Sequence, residues 1–159
     1  MGSRSKINKA YIAGFLDGDG SIMLQIKKRS DTKKGVRFMA TICLYQDTRH
    51  EKPLFWIRDQ FGIGYISRRR DGISELRING FEQVGNILSD LKPFIRFKEK
   101  QTHALIQACE LLSKKSIDAL SKSELRKLLG IVFEIKNENY KSRSTITKKE
   151  LCRRLGLTP

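Results

Sequence analysis

The spacing of apolar residues changes along this chain, and the changes predict its elements in order. Ile7, Tyr11, Phe15 and Leu16 fall at helical spacing, which predicts a first helix with one apolar face. Ser21 to Arg29 alternates, with Ile22, Leu24 and Ile26 on one side and Met23, Gln25, Lys27 and Arg29 on the other. Arg37 to Tyr45 alternates again. Phe38, Ala40, Ile42 and Leu44 face the core side, and Arg37, Met39, Thr41, Cys43 and Tyr45 lie opposite. Two such strands around the polar loop 30–35 make a long antiparallel hairpin. Pro53 suits the first turn of a helix, and Leu54, Ile57 and Phe61 continue it to Gly62.

Tyr65 to Ile78 predicts a second hairpin around Asp71-Gly72. A two-residue loop would set Ile66 against Arg77 and mix the two faces. The three-residue loop Arg70-Asp71-Gly72 sets Ile66 against Leu76 and Ser67 against Glu75, and both faces are then consistent. From residue 81 the period is helical. Val84, Ile87, Leu88 and Leu91 form one stripe ending at Pro93, and Leu105, Cys109 and Leu112 mark a helix after Lys98. Ser121 and Glu124 have capping-box spacing ahead of Leu125, Leu128, Leu129, Val132 and Ile135. Thr147 to Glu150 caps a short last helix with Leu151 and Leu155 inside. The order helix, hairpin, helix, hairpin, helices predicts an α+β fold, a four-stranded antiparallel sheet with helices on one face.

Charge changes this picture from a fold to a partner. The chain of 159 residues suits one domain and carries a formal net charge of +15. A polyanion is the expected partner. The polar face of the sheet collects Ser21, Met23, Gln25, Lys27, Arg29, Arg37, Met39, Thr41, Cys43, Ser67, Arg69, Glu75 and Arg77, with Arg68 and Arg70 beside them. A face that basic suits the major groove of double-stranded DNA, which admits a two-stranded ribbon. Lys136, Lys141, Ser142, Arg143 and Lys148 are the candidates for phosphate contact near the C-terminus, contacts that position a duplex without specifying its sequence. No apolar stretch approaches membrane length, so no membrane partner is expected, and no signal peptide is visible. Cys43, Cys109 and Cys152 are odd in number and widely spaced, which suits reduced thiols in an intracellular protein.

The candidate chemistry lies in Tyr11-Ile12-Ala13-Gly14-Phe15-Leu16-Asp17-Gly18-Asp19-Gly20. Ala13, Gly14 and Gly18 put small residues on one strip of the first helix. A glycine costs roughly 1 kcal/mol against alanine inside a helix, so its presence points to another backbone coming close. Gly18 and Gly20 permit the turn into the first strand. Asp19, at the helix end, is a ligand for a hard cation such as magnesium or an ordinary turn aspartate.

The string Ile12 to Gly20 resembles the LAGLIDADG motif position by position, with Gly18 where the motif name has alanine. That family consists mainly of homing endonucleases, with some RNA maturases. The resemblance implies the order αββαββα with a saddle-shaped sheet over residues 6–135, and a C-terminal basic loop and helix over 136–159, all within one domain. It implies cleavage of long DNA sites with divalent metal through the last motif aspartate, here Asp19, aided by the Gly18 carbonyl. Magnesium is the expected ion; manganese or calcium would occupy the same sites, calcium without catalysis. This chain holds one motif copy, and single-copy members are homodimers. Tyr11, Ala13, Gly14, Asp17 and Gly18 are therefore the expected dimer interface, which would bring two copies of Asp19 together on a pseudo-palindromic target. Gln46 matches a polar family position near the attacking water, although its parity places it off the polar face unless a bulge intervenes. Lys98 lies in Phe94-Ile95-Arg96-Phe97-Lys98-Glu99-Lys100-Gln101, which resembles the segment holding the family's active-site lysine. His50 stands where single-motif relatives often have arginine, either as a catalytic group or as a simple loop residue. The resemblance also implies an organellar location, in chloroplast or mitochondrion, and the chain's own intron RNA as a further partner. The competing reading is a non-cleaving LAGLIDADG binder, an intron maturase or a DNA-binding regulator. Such proteins often lose the motif aspartate, and this chain keeps it.

Overall fold

The computed structural model describes residues 5–139 and 146–158. Helix α1 (Lys6–Asp19) starts at Ser5, whose hydroxyl accepts the Asn8 N–H at 3.1 Å. The chain then runs β1 (Gly20–Lys28), β2 (Val36–Asp47), α2 (Lys52–Phe61), β3 (Tyr65–Arg68), β4 (Ile73–Asn79), α3 (Phe81–Leu91), α4 (Glu99–Leu112), α5 (Lys122–Glu138) and α6 (Lys148–Arg154). Both antiparallel hairpins are present, and they join into one sheet in the order β1-β2-β4-β3. The α2 connection carries the chain from β2 past its neighbour to the edge strand β3, and β4 returns to pair with β2. The helix stops follow local chemistry. Gly62 takes the left-handed conformation (φ 68°) after α2, and both halves of the Ser121–Glu124 capping box open α5.

The second hairpin has the register that face consistency demands. Ile66 pairs with Leu76, Ser67 with Glu75 and Arg68 with Ser74. The Arg69 N–H then donates to the Ile73 carbonyl at 2.8 Å, leaving Arg70-Asp71-Gly72 as the loop, with Gly72 at φ 80°. One face of the sheet buries Ile22, Leu24, Phe38, Ala40, Ile42, Leu44, Leu76 and Ile78 against the helices. From the helices come Leu54, Ile57, Leu88, Leu105 and Leu128 among others, in one continuous core. No helix among the described residues is long and apolar enough to cross a membrane.

Helix α1 departs from expectation. Its buried face is Ile12, Ala13, Leu16 and Asp17, whereas Ile7 is 81% and Tyr11 57% exposed. The helix carries apolar residues on two sides, so periodicity selected the wider stripe, and the core took the narrower one. Ala13 therefore belongs to this chain's own core and not to an outward strip of small residues. Gly20 differs too: its backbone is extended (φ −104°) and needs no left-handed residue. A Cβ there would meet Leu16 Cδ1 at 2.5 Å and the Leu16 carbonyl at 2.8 Å, so crowding against the helix end selects glycine.

All three cysteines are buried. Burial pushes the Cys109 thiol up to about 12 and raises Cys43 above its ordinary range. A thiol whose pKa is raised by folding supports the fold below its unfolded pKa and loses that support as pH rises. Stability should therefore fall between pH of about 8.5, the free-thiol value, and about 12. Urea unfolding across that range, compared with Cys109→Ala, measures it. Gly72→Ala should lower stability by about 1 kcal/mol through backbone strain alone, seen as a lower urea midpoint at unchanged slope.

Candidate active site and nucleic-acid interface

The last turn of α1 carries two carboxylates that point in different directions. Two residues apart on a helix lie on roughly opposite sides of the axis. Asp19 is exposed and Asp17 is buried. Asp17 Oδ2 accepts the backbone N–H of Arg96 at 2.6 Å and of Phe97 at 3.2 Å, and Oδ1 accepts that of Lys98 at 3.1 Å. The Lys98 ammonium donates to the Asp17 carbonyl. Burial lowers the Lys98 pKa, opposed by the negative charges of Asp17 and Asp19. Asp19 and Lys98 thus stand at one mouth, although far apart in sequence. An open cavity of about 830 Å³ borders them, and Ser21, Met23, Gln25 and Lys27 line its β1 side.

Asp17 was expected at a dimer interface; its side chain is instead spent on backbone donors of its own chain. Gln46 pairs with Ser74 in a register that runs without a bulge from Thr41 to Asp47, so its parity stays with the helix side. Its Oε1 accepts the Asp47 N–H at 2.8 Å. The strand nevertheless passes close to Asp19, since Leu44 pairs with Gly20. His50 is exposed in the short turn Thr48–His50. Gly18 and Gly14 are exposed, and a Cβ at either position would meet nothing within 4 Å among the described residues.

The polar face is a coupled surface, not a row of independent side chains. Glu75 is only 5% exposed and holds two guanidinium groups, Arg69 at 3.1 Å and Arg77 at 2.8 Å. Thr41 and Cys43 lie on this face yet are fully covered by their neighbours, which removes them from direct contact with a partner. Thr41 donates to Asn79 at 2.7 Å. Tyr45, on this face by strand parity, is half-buried beside Cys43 and Ser21. Burial, with the Cys43 contact, pushes its phenol up to about 12, so it stays a neutral donor. Tyr65, paired with Arg77 on the edge strand, is 52% exposed on this face and was missed. Alternation from Ser67 upstream would have found it.

The remaining candidates divide. Lys27, Arg37, Arg69 and Arg70 are exposed, and Ser21, Met23, Gln25, Met39, Ser67 and Arg77 are half-buried. Gln25 lies 3.9 Å from the Met23 sulfur, and Arg29 is paired with Asp31. Arg68, expected beside the polar face, instead pairs with Ser74 on the other parity, and its guanidinium grips Glu51 at 3.0 Å on the helix side. Lys136 donates to the Ile146 carbonyl at 3.3 Å, and Lys148 is exposed at the start of α6. Lys141, Ser142 and Arg143 lie outside the described residues.

The LAGLIDADG endonuclease family matches residues 12–121, a span that contains the motif helix from Ile12, the whole sheet and Lys98. The chain belongs to that family. It is 34% identical over 119 residues to DNA endonuclease I-CreI of Chlamydomonas reinhardtii, which covers 72% of this chain and 72% of that protein. It is 30% identical over 103 residues to DNA endonuclease I-CvuI of Chlorella vulgaris, covering 65% of this chain and 64% of the relative. A crystal structure of I-CvuI in complex with the I-CreI target in the presence of magnesium superposes with a TM-score of 0.81 at 22% identity, over 97% of this chain and 98% of that one. The archaeal intron-encoded I-Vdi141I, complexed with DNA, superposes with a TM-score of 0.82 at 20% identity, over 96% and 97%. These structures share the LAGLIDADG fold with the chain: an antiparallel four-stranded sheet with its helices.

Glu75 generates a test of the coupled face. Glu75→Gln leaves two guanidinium groups without a buried counter-charge. Because Arg69 and Arg77 keep solvent access, the loss should be about 1 kcal/mol, read from urea unfolding. A variant as stable as the parent protein would show that the pair of arginines holds its place without Glu75.

Proposed function

We propose that this chain is a divalent-metal-dependent, site-specific DNA endonuclease that works as a homodimer on a pseudo-palindromic duplex. The observation that carries the reading is the outward face of α1. Ile7, Tyr11, Gly14 and Gly18 recur at helical spacing on that face, exposed, and they lead directly to Asp19. The two glycines answer to no close approach among the described residues. A second copy of α1 packed across a two-fold axis would account for them and would bring two Asp19 side chains together. Tyr11 also packs edge-on against Trp56, at 5.8 Å between ring centres, which borders the face on the α2 side. The dimer would carry twice the formal charge of +15, in keeping with a polyanionic partner.

The donor set fits a hard cation whose shell is completed from outside the chain. Asp19 offers an exposed carboxylate, and Gly18 one of the last carbonyls of α1, which have no partner further along the helix. No group of three or more His, Cys, Asp or Glu among the described residues is arranged to hold an ion. That suits magnesium, which takes one or two carboxylates and leaves its other positions to phosphate and water. When bound, such an ion would supply an activated water and charge neutralisation at the phosphate. Asp19 would hold it, Gly18 would add a carbonyl, and the Lys98 ammonium would put a fixed positive charge beside the developing negative charge. The polar face would lie in the major groove, with Arg69 and Arg77 reading guanines and Gln25 an adenine.

Asp19→Asn should nearly abolish cleavage while binding in calcium survives. Cleavage at the parent rate would exclude Asp19 as the metal ligand. Sedimentation should show a mass twice 18.3 kDa, and a monomer that stays monomeric on DNA while cutting both strands would overturn the dimer. Arg69→Ala and Arg77→Ala should each relax preference at a few symmetric base pairs, at about 1–3 kcal/mol per lost bidentate contact. Lys148→Ala should weaken binding to all sequences alike and flatten the salt slope by about one unit. Profiling cleavage of every single-base target variant separates the two classes.

A further inference from the structure

We infer that Asp17 is the positioning residue for Lys98: its carboxylate clamps the backbone at the head of α4 and so sets where the Lys98 ammonium stands relative to Asp19. This rests on the catalytic reading of Lys98 given above.

Helix α4 has no capping side chain of its own. Its N-cap is Lys98, which makes no side-chain cap hydrogen bond. The N–H groups of Arg96, Phe97 and Lys98 converge on one carboxylate delivered from α1, 79 to 81 residues earlier. Asp17 as a residue is 8% exposed, and both of its carboxylate oxygens are engaged by these N–H groups. A carboxylate has about four acceptor sites and no donor, which matches three convergent N–H groups and the positive end of a helix. The same residue's carbonyl receives the Lys98 ammonium. Backbone and side chain of Lys98 are thus both referenced to residue 17.

The geometry separates this role from general packing. The segment ahead of α4 is already anchored by Ile95, which is 1% exposed in the core. Losing the clamp therefore leaves the segment attached and frees its last residues. Asparagine at position 17 keeps one acceptor oxygen and puts an amide donor where only N–H donors converge, so at least one of the three bonds is lost. One helical turn then controls both reacting groups: Asp19 through its own side chain, and Lys98 through Asp17.

A double-mutant cycle tests the inference with the full chain. Asp17→Asn, Lys98→Met and the double variant are compared with the parent protein on a duplex that the parent selects from a randomised library. Single-turnover cleavage is measured in magnesium and binding in calcium. Asp17→Asn should slow cleavage about tenfold with binding changed less than about twofold, and in the Lys98→Met background it should change the rate less than about twofold. Equal factors in both backgrounds would show that Asp17 acts on Asp19 or on the fold, and would overturn the inference, as would cleavage by Asp17→Asn at the parent rate. If Lys98→Met itself cuts like the parent, the catalytic reading of Lys98 fails, a pattern distinct from equal factors. Amide exchange in the parent protein needs no variant. The N–H groups of Arg96, Phe97 and Lys98 should exchange at least about 100-fold more slowly than exposed loop amides. Exchange at loop rates would remove the clamp.

Discussion

A carboxylate taken out of water must be met by donors, because burying an unpaired charge costs more than a fold of this size can spare. Asp17 is met by three backbone N–H groups whose residues lie about 80 positions further along the chain. That requirement joins the end of α1 to the head of α4, two elements that sequence separates by the whole sheet. It also aligns the outward carboxylate, Asp19, with the Lys98 ammonium. The sheet between them is held by local rules, and each hairpin closes on its own. The meeting of these two charged groups is not local, and it depends on this one satisfied carboxylate.

The polar face of the sheet follows the same logic of mutual satisfaction. Glu75 is nearly buried between two arginines, and the Thr41 hydroxyl donates to Asn79. Such a network fixes the directions in which Arg69 and Arg77 point before any partner arrives. Preorganised guanidinium groups lose less freedom on binding than flexible ones. On the proposed DNA-reading role, this face would present a few fixed donors above a polar layer that supports them, and the supporting layer would influence specificity without touching a base.

The outward side of α1 has the opposite character. Ile7 on this side is 81% exposed, and Gly14 and Gly18 have open space in front of them among the described residues. Glycine in a helix interior is a cost with no return in the isolated chain. A second helix in that space turns the cost into a close contact. In the proposed dimer the face that one core leaves unused becomes the axis of the assembly, and the proposed metal site at the end of the helix becomes shared.

What the sequence alone determined was local. Strand alternation, the three-residue loop at Arg70 to Gly72, the stop at Gly62 and the capping box at Ser121 each depend on a few neighbouring residues, and each appears in the structure as expected. The motif string identified the family for the same reason, since its information lies in consecutive positions. Tertiary structure decided what local pattern leaves ambiguous. Helix α1 has apolar residues on two sides, and packing against α3 and the sheet selected Ile12, Ala13 and Leu16 for the core. Alternation put Thr41 and Cys43 on the polar face, and the assembled sheet buries both. Asp17 looked like one more residue of a helix-end motif, and its partners are backbone groups that carry no sequence signature. A side chain's role is legible from sequence when its partners are near in the chain or are themselves side chains of a recognisable kind; when the partners are distant N–H groups, only the folded chain brings them within reach.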